Sequence, residues 1–193
     1  MNKYSIMQQA LGDQWQLLPV ALRSHYQLNA NTDTGFLDIS YPRFMQWPLN
    51  FLRLFGVLIN RCEDAVPVTV NKHMSGHSQY WYRHINFQNG QCMKFKTKWV
   101  YAQNNEVIEY VNPLLGLRMS VSVINKQLHY TGKCFVLKLW HLLIPIPEWL
   151  LLGHTQIVEV AINDSEFAMD FSLNHPVFGW LFRYKGVFNT TLN

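Results

Sequence analysis

The chain has 193 residues, of which 49% are hydrophobic and 15% aromatic, whereas charged residues make up only 15%. This composition excludes an intrinsically disordered protein and predicts one domain, residues 1–193, with a large apolar interior. The net charge of +4 comes from scattered Lys and Arg residues without a run of like charges, so nucleic acid is not an expected partner.

The N-terminal residues and the cysteines indicate a cytoplasmic protein. Residues 1–9 reach Gln8 and Gln9 before any apolar core develops, which excludes a secretory signal. No window approaches the roughly eighteen apolar residues of a membrane-spanning helix. The cysteines are odd in number and have no CxxC spacing, a pattern typical of reduced and buried thiols: Cys62, Cys92 and Cys134.

Residues 1–60 predict a helix-rich N-terminal part. An apolar stripe with steps of three and four residues indicates amphipathic helices. It consists of Met7, Leu11, Trp15, Leu18 and Leu22. Gly12 ends a first helix and Pro19 begins a second over residues 19–26. A polar loop at residues 29–33 and a strand at residues 36–41 are expected to follow.

Two apolar segments would be unfavourable in water, so each is expected to pack against another surface. Residues 48–59 predict a helix that is apolar on nearly every side, and residues 144–152 form a knob with two prolines. Packing against the core or over one end of the sheet is the favoured interpretation of both. A lid, a peripheral membrane contact or a protein partner is the alternative.

Residues 61–193 predict an antiparallel β meander. Apolar and polar residues alternate, and turn signals recur at short intervals, as at Asn89-Gly90. The pattern gives nine to ten strands and favours a calycin-like barrel or a strongly curved sheet. A START-like helix-grip fold is the alternative, although the expected last element is a strand and not a long helix.

A barrel of this many strands is wide enough to hold a small ligand. The alternation predicts an aromatic inner wall made of Trp81, Arg83, Phe95, Trp99, Phe171, Trp180 and Tyr184. The favoured hypothesis is therefore a non-enzymatic module that binds a small hydrophobic or lipid-like ligand.

Charged residues on the predicted inner faces give a second hypothesis. Arg83 shares a face with apolar residues and needs a counter-charge, for which Glu159 and Glu109 are the candidates. A structural ion pair is favoured. An isomerase, cyclase or reductase-accessory enzyme is the alternative, with Arg83, Glu159 or His25 moving a proton in an apolar pocket.

The sequence predicts neither a metal site nor a cofactor. His73 and His77 flank a turn and lack the converging ligands that zinc needs. No GxGxxG loop is present to hold a nicotinamide cofactor, and no GxSxG motif indicates a hydrolase.

Several short motifs lie in order between Leu11 and Phe188: Leu11-Gly12, Leu18-Pro19, Leu22-Arg23 with His25, Pro67-Val68-Thr69-Val70, Trp81-Tyr82-Arg83, Ile144-Pro145-Ile146-Pro147, Glu159, His175-Pro176-Val177-Phe178-Gly179 and Tyr184-Lys185-Gly186. Together they resemble a bacterial family called domain of unknown function 4166. The resemblance implies no established activity and no catalytic residues. Members of the family also occur fused behind saccharopine-dehydrogenase-like reductase domains, which implies a reductase as a partner.

Overall fold

In the computed structural model of the chain, residues 4–28 and 30–190 are described. The four α-helices are α1 Ile6–Leu11, α2 Val20–His25, α3 Gln46–Leu54 and α4 Glu148–Leu151, with 3-10 helices at Gly12–Leu17 and Arg43–Met45. Within the described ranges, every helix is too short or too polar to cross a membrane.

The strands form a closed antiparallel barrel. They are β1 Asn31–Ser40, β2 Glu63–Ser75, β3 Ser78–Asn86, β4 Cys92–Gln103, β5 Glu106–Tyr110, β6 Leu115–Ile124, β7 Gln127–Leu139, β8 Leu142–Ile146, β9 His154–Ala161, β10 Glu166–His175 and β11 Gly179–Thr190. Ten strands make the ring, which the β6–β7 pairing closes, while β8 pairs with residues 135–139 of β7, on the edge that β9 uses at residues 128–131. The predicted barrel is confirmed, and the helix-grip alternative is wrong because the sheet closes on itself.

The alternation of side chains along each strand places the core inside the ring. On β2, Val66, Val68 and Val70 are buried, and on β3 the inward positions include Trp81 and Ile85. The residues between them point outward, as the period of two along a strand requires. The hairpin predicted at Asn89-Gly90 is confirmed between β3 and β4, with Gly90 at a φ of 80°.

The N-terminal helices form a plug over one end of the barrel, which we call the closed end. Helix α1 begins at a capping box in which Ser5 and Gln8 bond reciprocally, and it packs on β4. Helix α2 begins after Pro19 and packs on β9, β10 and β11. Both predicted helices are confirmed.

Strand β1 is longer than the sequence indicated. The polar loop predicted at residues 29–33 is wrong for Asn31 to Asp33, which belong to the strand, while Asn29 lies outside the described residues. The prediction failed because Asn31 and Asp33 are polar but inward-facing and buried. The expected burial of the cysteines is also wrong, since Cys62 and Cys92 are exposed.

The two apolar segments are far less covered than expected. Helix α3 ends at Leu54, before Gly56 at a φ of 70°, and within it only Leu49 is buried. Residues 144–152 contain the end of edge strand β8 and helix α4, whose Trp149 and Leu150 are exposed. Both segments lie at the end of the barrel opposite the plug, which we call the mouth end. Leu49, Leu58 and Ile59 of the first segment and Leu152 of the second belong to the core, so each segment packs over the barrel end with only part of its apolar surface.

The glycines of β1 and β11 allow these strands to come close inside the ring. A Cβ added at Gly186 would lie 2.1 Å from the Phe36 carbonyl oxygen. We expect Gly186→Ala to lower the free energy of unfolding by roughly 1–3 kcal/mol, because a backbone atom blocks the added methyl group. Urea denaturation measures this loss. Thr34→Ala, at an exposed position of β1, should change stability by only about 0.5 kcal/mol, and equal losses would contradict the argument.

Candidate functional site

A cavity of about 150 Å³ lies inside the barrel. His25 and Tyr26 of the plug bound it at the closed end, and residues 56–59 bound it at the mouth end. Every residue of the predicted inner wall except Trp180 lines it: Trp81, Arg83, Phe95, Trp99, Phe171 and Tyr184. The free volume is comparable to a cavity that holds one benzene-sized group.

Trp180 does not reach the cavity. A bulge in the β10–β11 pairing sets Leu173 opposite Phe182 but Asn174 opposite Trp180, so Leu181 is an extra residue. The bulge reverses the alternation, and Trp180 lies on the outer surface, 41% exposed. Its inclusion in the predicted wall is therefore wrong.

Aromatic rings make most of the cavity wall. The Trp81 and Trp99 rings stack with centroids 5.1 Å apart, and the edge of Tyr130 meets Trp99 at 6.0 Å. On the other side, Phe171 and Tyr184 stack at 4.6 Å. These contacts fix the orientation of the rings, so the wall is preformed.

Arg83 brings a charged group to the apolar wall. Its Nη1 donates to Thr97 Oγ1 at 2.9 Å and to Glu109 Oε1 at 3.1 Å, and its guanidinium lies over the Trp81 ring. The predicted counter-charge Glu109 is present, but Glu159 is not the partner. Both hydrogen bonds to described residues start at Nη1, so Nε and Nη2 remain donors. The Arg83 side chain keeps 23% of its surface accessible.

Three further polar atoms of the lining are buried without a hydrogen-bond partner among the described residues. They are the indole Nε1 atoms of Trp81 and Trp99 and the Thr155 hydroxyl. A buried polar group without a partner is unfavourable by roughly 1–3 kcal/mol. The side chains that carry these atoms line the cavity.

Glu159 forms a second polar group at the cavity. The Tyr26 hydroxyl donates to its Oε1 at 2.8 Å and its Oε2 at 2.9 Å, and the Tyr130 hydroxyl donates to that of Tyr26. Burial raises the pKa of Glu159 to about 8, so the carboxyl group is mostly protonated at neutral pH. A neutral carboxyl beside an apolar cavity can give a hydrogen bond or a proton.

A third polar cluster lies at the closed end, under the plug. The Lys72 ammonium is buried inside the ring, where it donates to the His25 carbonyl oxygen at 2.5 Å and to Asp33 Oδ2. His25 Nδ1 lies 2.7 Å from the same Asp33 oxygen. Burial, and then the charge of Lys72, lowers the pKa of His25 to about 4, so its imidazole is neutral at pH 7.

The charges of Asp33 and Lys72 balance each other. Burial alone would raise the pKa of Asp33, but its contacts with His25 and Lys72 hold that pKa well below its usual range. Burial lowers the pKa of Lys72 to about 8, against the attraction of Asp33. At pH 7 an ammonium and a carboxylate therefore face each other across β1 and β2.

Sequence reasoning missed Lys72 and Asp33, although a signal for Lys72 was present. Lys72 continues the inward series of Val66, Val68 and Val70, so the alternation places an ammonium inside the barrel. Asp33 was assigned to a loop, which concealed that it lies on the same inner face as Leu37 and Ile39. If the alternation had been extended to the ends of β1 and β2, it would have predicted that Asp33 and Lys72 both point into the barrel and form an ion pair.

The histidines of the β2–β3 hairpin do not form a metal site. His73 stacks between the rings of Tyr80 and Tyr82, at 5.6 and 5.5 Å. Nowhere in residues 4–28 and 30–190 do three or more His, Cys, Asp or Glu side chains gather in a way that would hold an ion.

The fold and the site define a closed antiparallel β-barrel with a buried aromatic interior, an architecture compatible with ligand binding. The chain belongs to the DUF4166 family, a domain of unknown function, whose family model matches residues 18–188. The resemblance noted in the sequence is thereby confirmed. A search of curated proteins finds no match.

The raised pKa of Glu159 predicts a pH-dependent stability. The folded state holds this proton between pH 4.5, the ordinary pKa, and about pH 8, so stability falls as pH rises through that window. Between about pH 4 and 6.5 the lowered pKa of His25 has the opposite effect, and the lowered pKa of Lys72 raises stability only above about pH 8. The loss attributable to Glu159 is therefore clearest from pH 6.5 to 8.

We expect the wild-type protein to lose roughly 2 kcal/mol of unfolding free energy across that interval. Glu159→Gln, which is neutral at every pH, should lose little. Urea denaturation at both pH values gives the two slopes. Parallel slopes for the two proteins would show that Glu159 does not hold a proton in the folded state.

Proposed function

We propose that this protein binds a small, neutral, hydrophobic or lipid-like molecule inside the barrel. The observation that carries the proposal is a cavity inside the barrel whose wall is apolar and aromatic but includes hydrogen-bond donors without partners in the described chain. Ligand sites commonly combine a large apolar surface with a few polar groups that fix orientation. Unpaired donors in a cavity that only reflected imperfect packing would lower stability without any compensating contact.

The donors indicate which polar group the ligand carries. Nε and Nη2 of Arg83 and the indole N–H groups of Trp81 and Trp99 all offer hydrogen, so the matching group is an acceptor. A carbonyl, ester or ether oxygen fits this requirement. Because two of these donors are indoles, the oxygen would lie against the stacked Trp81 and Trp99 rings.

The charges of the interior favour a neutral ligand. Arg83 is already balanced by Glu109, and Lys72 by Asp33. Glu159 is mostly protonated at pH 7, because burial raises its pKa to about 8. A free carboxylate would add an unbalanced charge to a buried site, which is unfavourable.

The proposed site draws on the whole chain, which we infer to be one domain. Strand β1, from the N-terminal sixty residues, pairs with both β2 and β11. Tyr26 of the plug bonds to Glu159 of β9. Separating residues 1–60 from residues 61–193 would therefore open both the ring and the site.

Ligand titrations test the proposal. Acetophenone, ethylbenzene and benzoate each carry one benzene ring, which matches the size of the cavity, but differ in their polar group, and the Trp81 and Trp99 emission reports binding. We expect the ketone acetophenone to bind about tenfold more tightly than ethylbenzene, because one hydrogen bond to a charged donor contributes about 1.5 kcal/mol. Benzoate should bind more weakly than the ketone.

Arg83→Met should abolish the advantage of the ketone over ethylbenzene. Arg118→Met is the matched control, because Arg118 also pairs with a glutamate, Glu106, but does not line the cavity. Native mass spectrometry of protein made in its own host adds an independent search for a bound molecule. The absence of both a bound molecule and any response to the three compounds would sink the proposal.

A second candidate function is proton transfer to or from a carbonyl substrate. The raised pKa of Glu159 favours it, because a group that titrates near neutral pH can both give and accept a proton. His25 is less suited to this role, since Asp33 and Lys72 already contact its Nδ1. The predicted pairing of Arg83 with Glu159 does not form, so Arg83 would only bind the carbonyl oxygen.

Exchange in heavy water tests this second function. If Glu159 transfers protons, hydrogens next to the carbonyl of a bound ketone should exchange for deuterium faster with the wild-type protein than without it. Glu159→Gln should remove the acceleration but keep ketone binding. Equal exchange with both proteins would contradict proton transfer by Glu159, and ligand binding would remain as the proposed function.

A further inference from the structure

Exposed apolar side chains gather at the mouth end of the barrel. The most exposed are Trp140 at the tip of the β7–β8 hairpin, 93% exposed, and Trp47 of α3, 83% exposed. Phe51 and Leu54 of α3, Trp149 of α4 and Phe178 of the β10–β11 turn add to them. We call the segments 42–62, 112–115, 137–153 and 175–178 the mouth rim.

The barrel topology brings the mouth rim together. Helix α3 follows the end of β1, the hairpin and α4 connect β7 to β9, and residues 175–178 connect β10 to β11. Hydrogen bonds join neighbouring segments: the Asn112 side-chain amide donates to the Phe55 carbonyl oxygen, and His175 Nε2 lies 2.7 Å from the Trp149 carbonyl oxygen. At the closed end, by contrast, Leu17, Ile124 and Ile162 are exposed on separate turns.

The hairpin tip presents its tryptophan in an unfavourable backbone conformation. Trp140 has a φ of 53°, in the left-handed region that bulky residues rarely adopt. Its neighbours Leu142 and Leu143 are also exposed. A polar turn would be more soluble and less strained, so the tip is suited to contact with an apolar medium.

The charges of the mouth rim are almost all positive. Its segments contain Arg43, Arg53, Arg61 and Lys138 but only one carboxylate, Glu148. That carboxylate is buried and bonds to His154 and to the Thr155 amide. The acidic pair Glu63-Asp64 directly follows the first rim segment where β2 begins, across the ring from the β7–β8 hairpin, so the positive charge is most uniform at α3 and the hairpin.

We propose that the mouth rim docks on an anionic lipid bilayer. Tryptophan and leucine side chains with nearby arginine or lysine are the composition of interfacial membrane contacts, in which rings enter the headgroup region and cations meet anionic lipids. The apolar tips lie on separate projections, an arrangement that a deformable bilayer accommodates more easily than a rigid protein surface does. The excess of cations selects an anionic surface.

The docked orientation would place the cavity against the membrane. Val57, Val111 and Leu115 line the cavity and are partly exposed at the mouth end, so the cavity meets the surface within the rim. A hydrophobic ligand could then pass between the bilayer and the barrel without crossing water. Docking itself does not depend on the proposed ligand function, because the rim and its charges are present in the empty protein.

Flotation with vesicles tests the docking of the full chain. We expect binding to vesicles of phosphatidylglycerol and phosphatidylcholine, weakening as salt rises, and at least tenfold weaker binding to pure phosphatidylcholine. The double variant Trp47→Ser/Trp140→Ser should reduce binding about tenfold or more. Leu17→Ser/Ile124→Ser, at the closed end, removes comparable exposed apolar groups and should bind like the wild type.

Reversal of charge on the mouth rim provides a second test of docking. Arg53→Glu/Lys138→Glu should reduce binding to the anionic vesicles at least tenfold, since each cation near such a surface contributes roughly a fivefold effect. Failure of the wild-type protein to bind anionic vesicles, or equal binding to both vesicle types, would overturn the proposal.

Sedimentation of the protein alone tests whether a second copy of the chain, instead of a bilayer, covers the mouth rim. A dimer that the rim variants dissociate would show that a second copy covers the rim, and would also overturn membrane docking. Neither result would affect the ketone titrations, so docking and the ligand function can fail separately.

Discussion

The structure depends on one buried interaction, the contact of the Lys72 ammonium with Asp33 and with the carbonyl oxygen of His25. An ammonium inside a barrel is tolerated only when partners replace its water. Here one partner is a strand carboxylate and the other is the last residue of α2. The same group therefore joins two strands of the ring to the helical plug, so the closed end is held by charge as well as by packing.

Polar groups are arranged in the interior as neutral sets. Arg83 with Glu109 and Lys72 with Asp33 are ion pairs, and Glu159 keeps its proton at pH 7 because burial raises its pKa to about 8. Such an interior contains many hydrogen-bonding groups, but their charges sum to about zero. Its hydrogen-bonding groups are therefore held in fixed directions without an unbalanced charge.

Much of the barrel could be predicted from the sequence because strand alternation is a local property. The inward series through Trp81 and Arg83 needed only the period of two. The prediction failed for Trp180 because a bulge reverses the alternation, and a bulge depends on how two strands pair. It missed Lys72 because the inward series of Val66, Val68 and Val70 was not followed further along β2. The cavity was beyond prediction, since the distance between facing walls depends on how ten strands close, which no single strand encodes.

Strand β8 has a consequence for how the protein behaves at high concentration. A closed ring has no free edge, but β8 pairs with β7 alone among the described strands and so adds one, in a segment rich in leucine and isoleucine. The edge is only five residues long, and Pro145 removes one of its N–H donors. An incoming strand would find few backbone partners there. The chain can thus display an apolar hairpin without offering a template for strand-to-strand polymerisation.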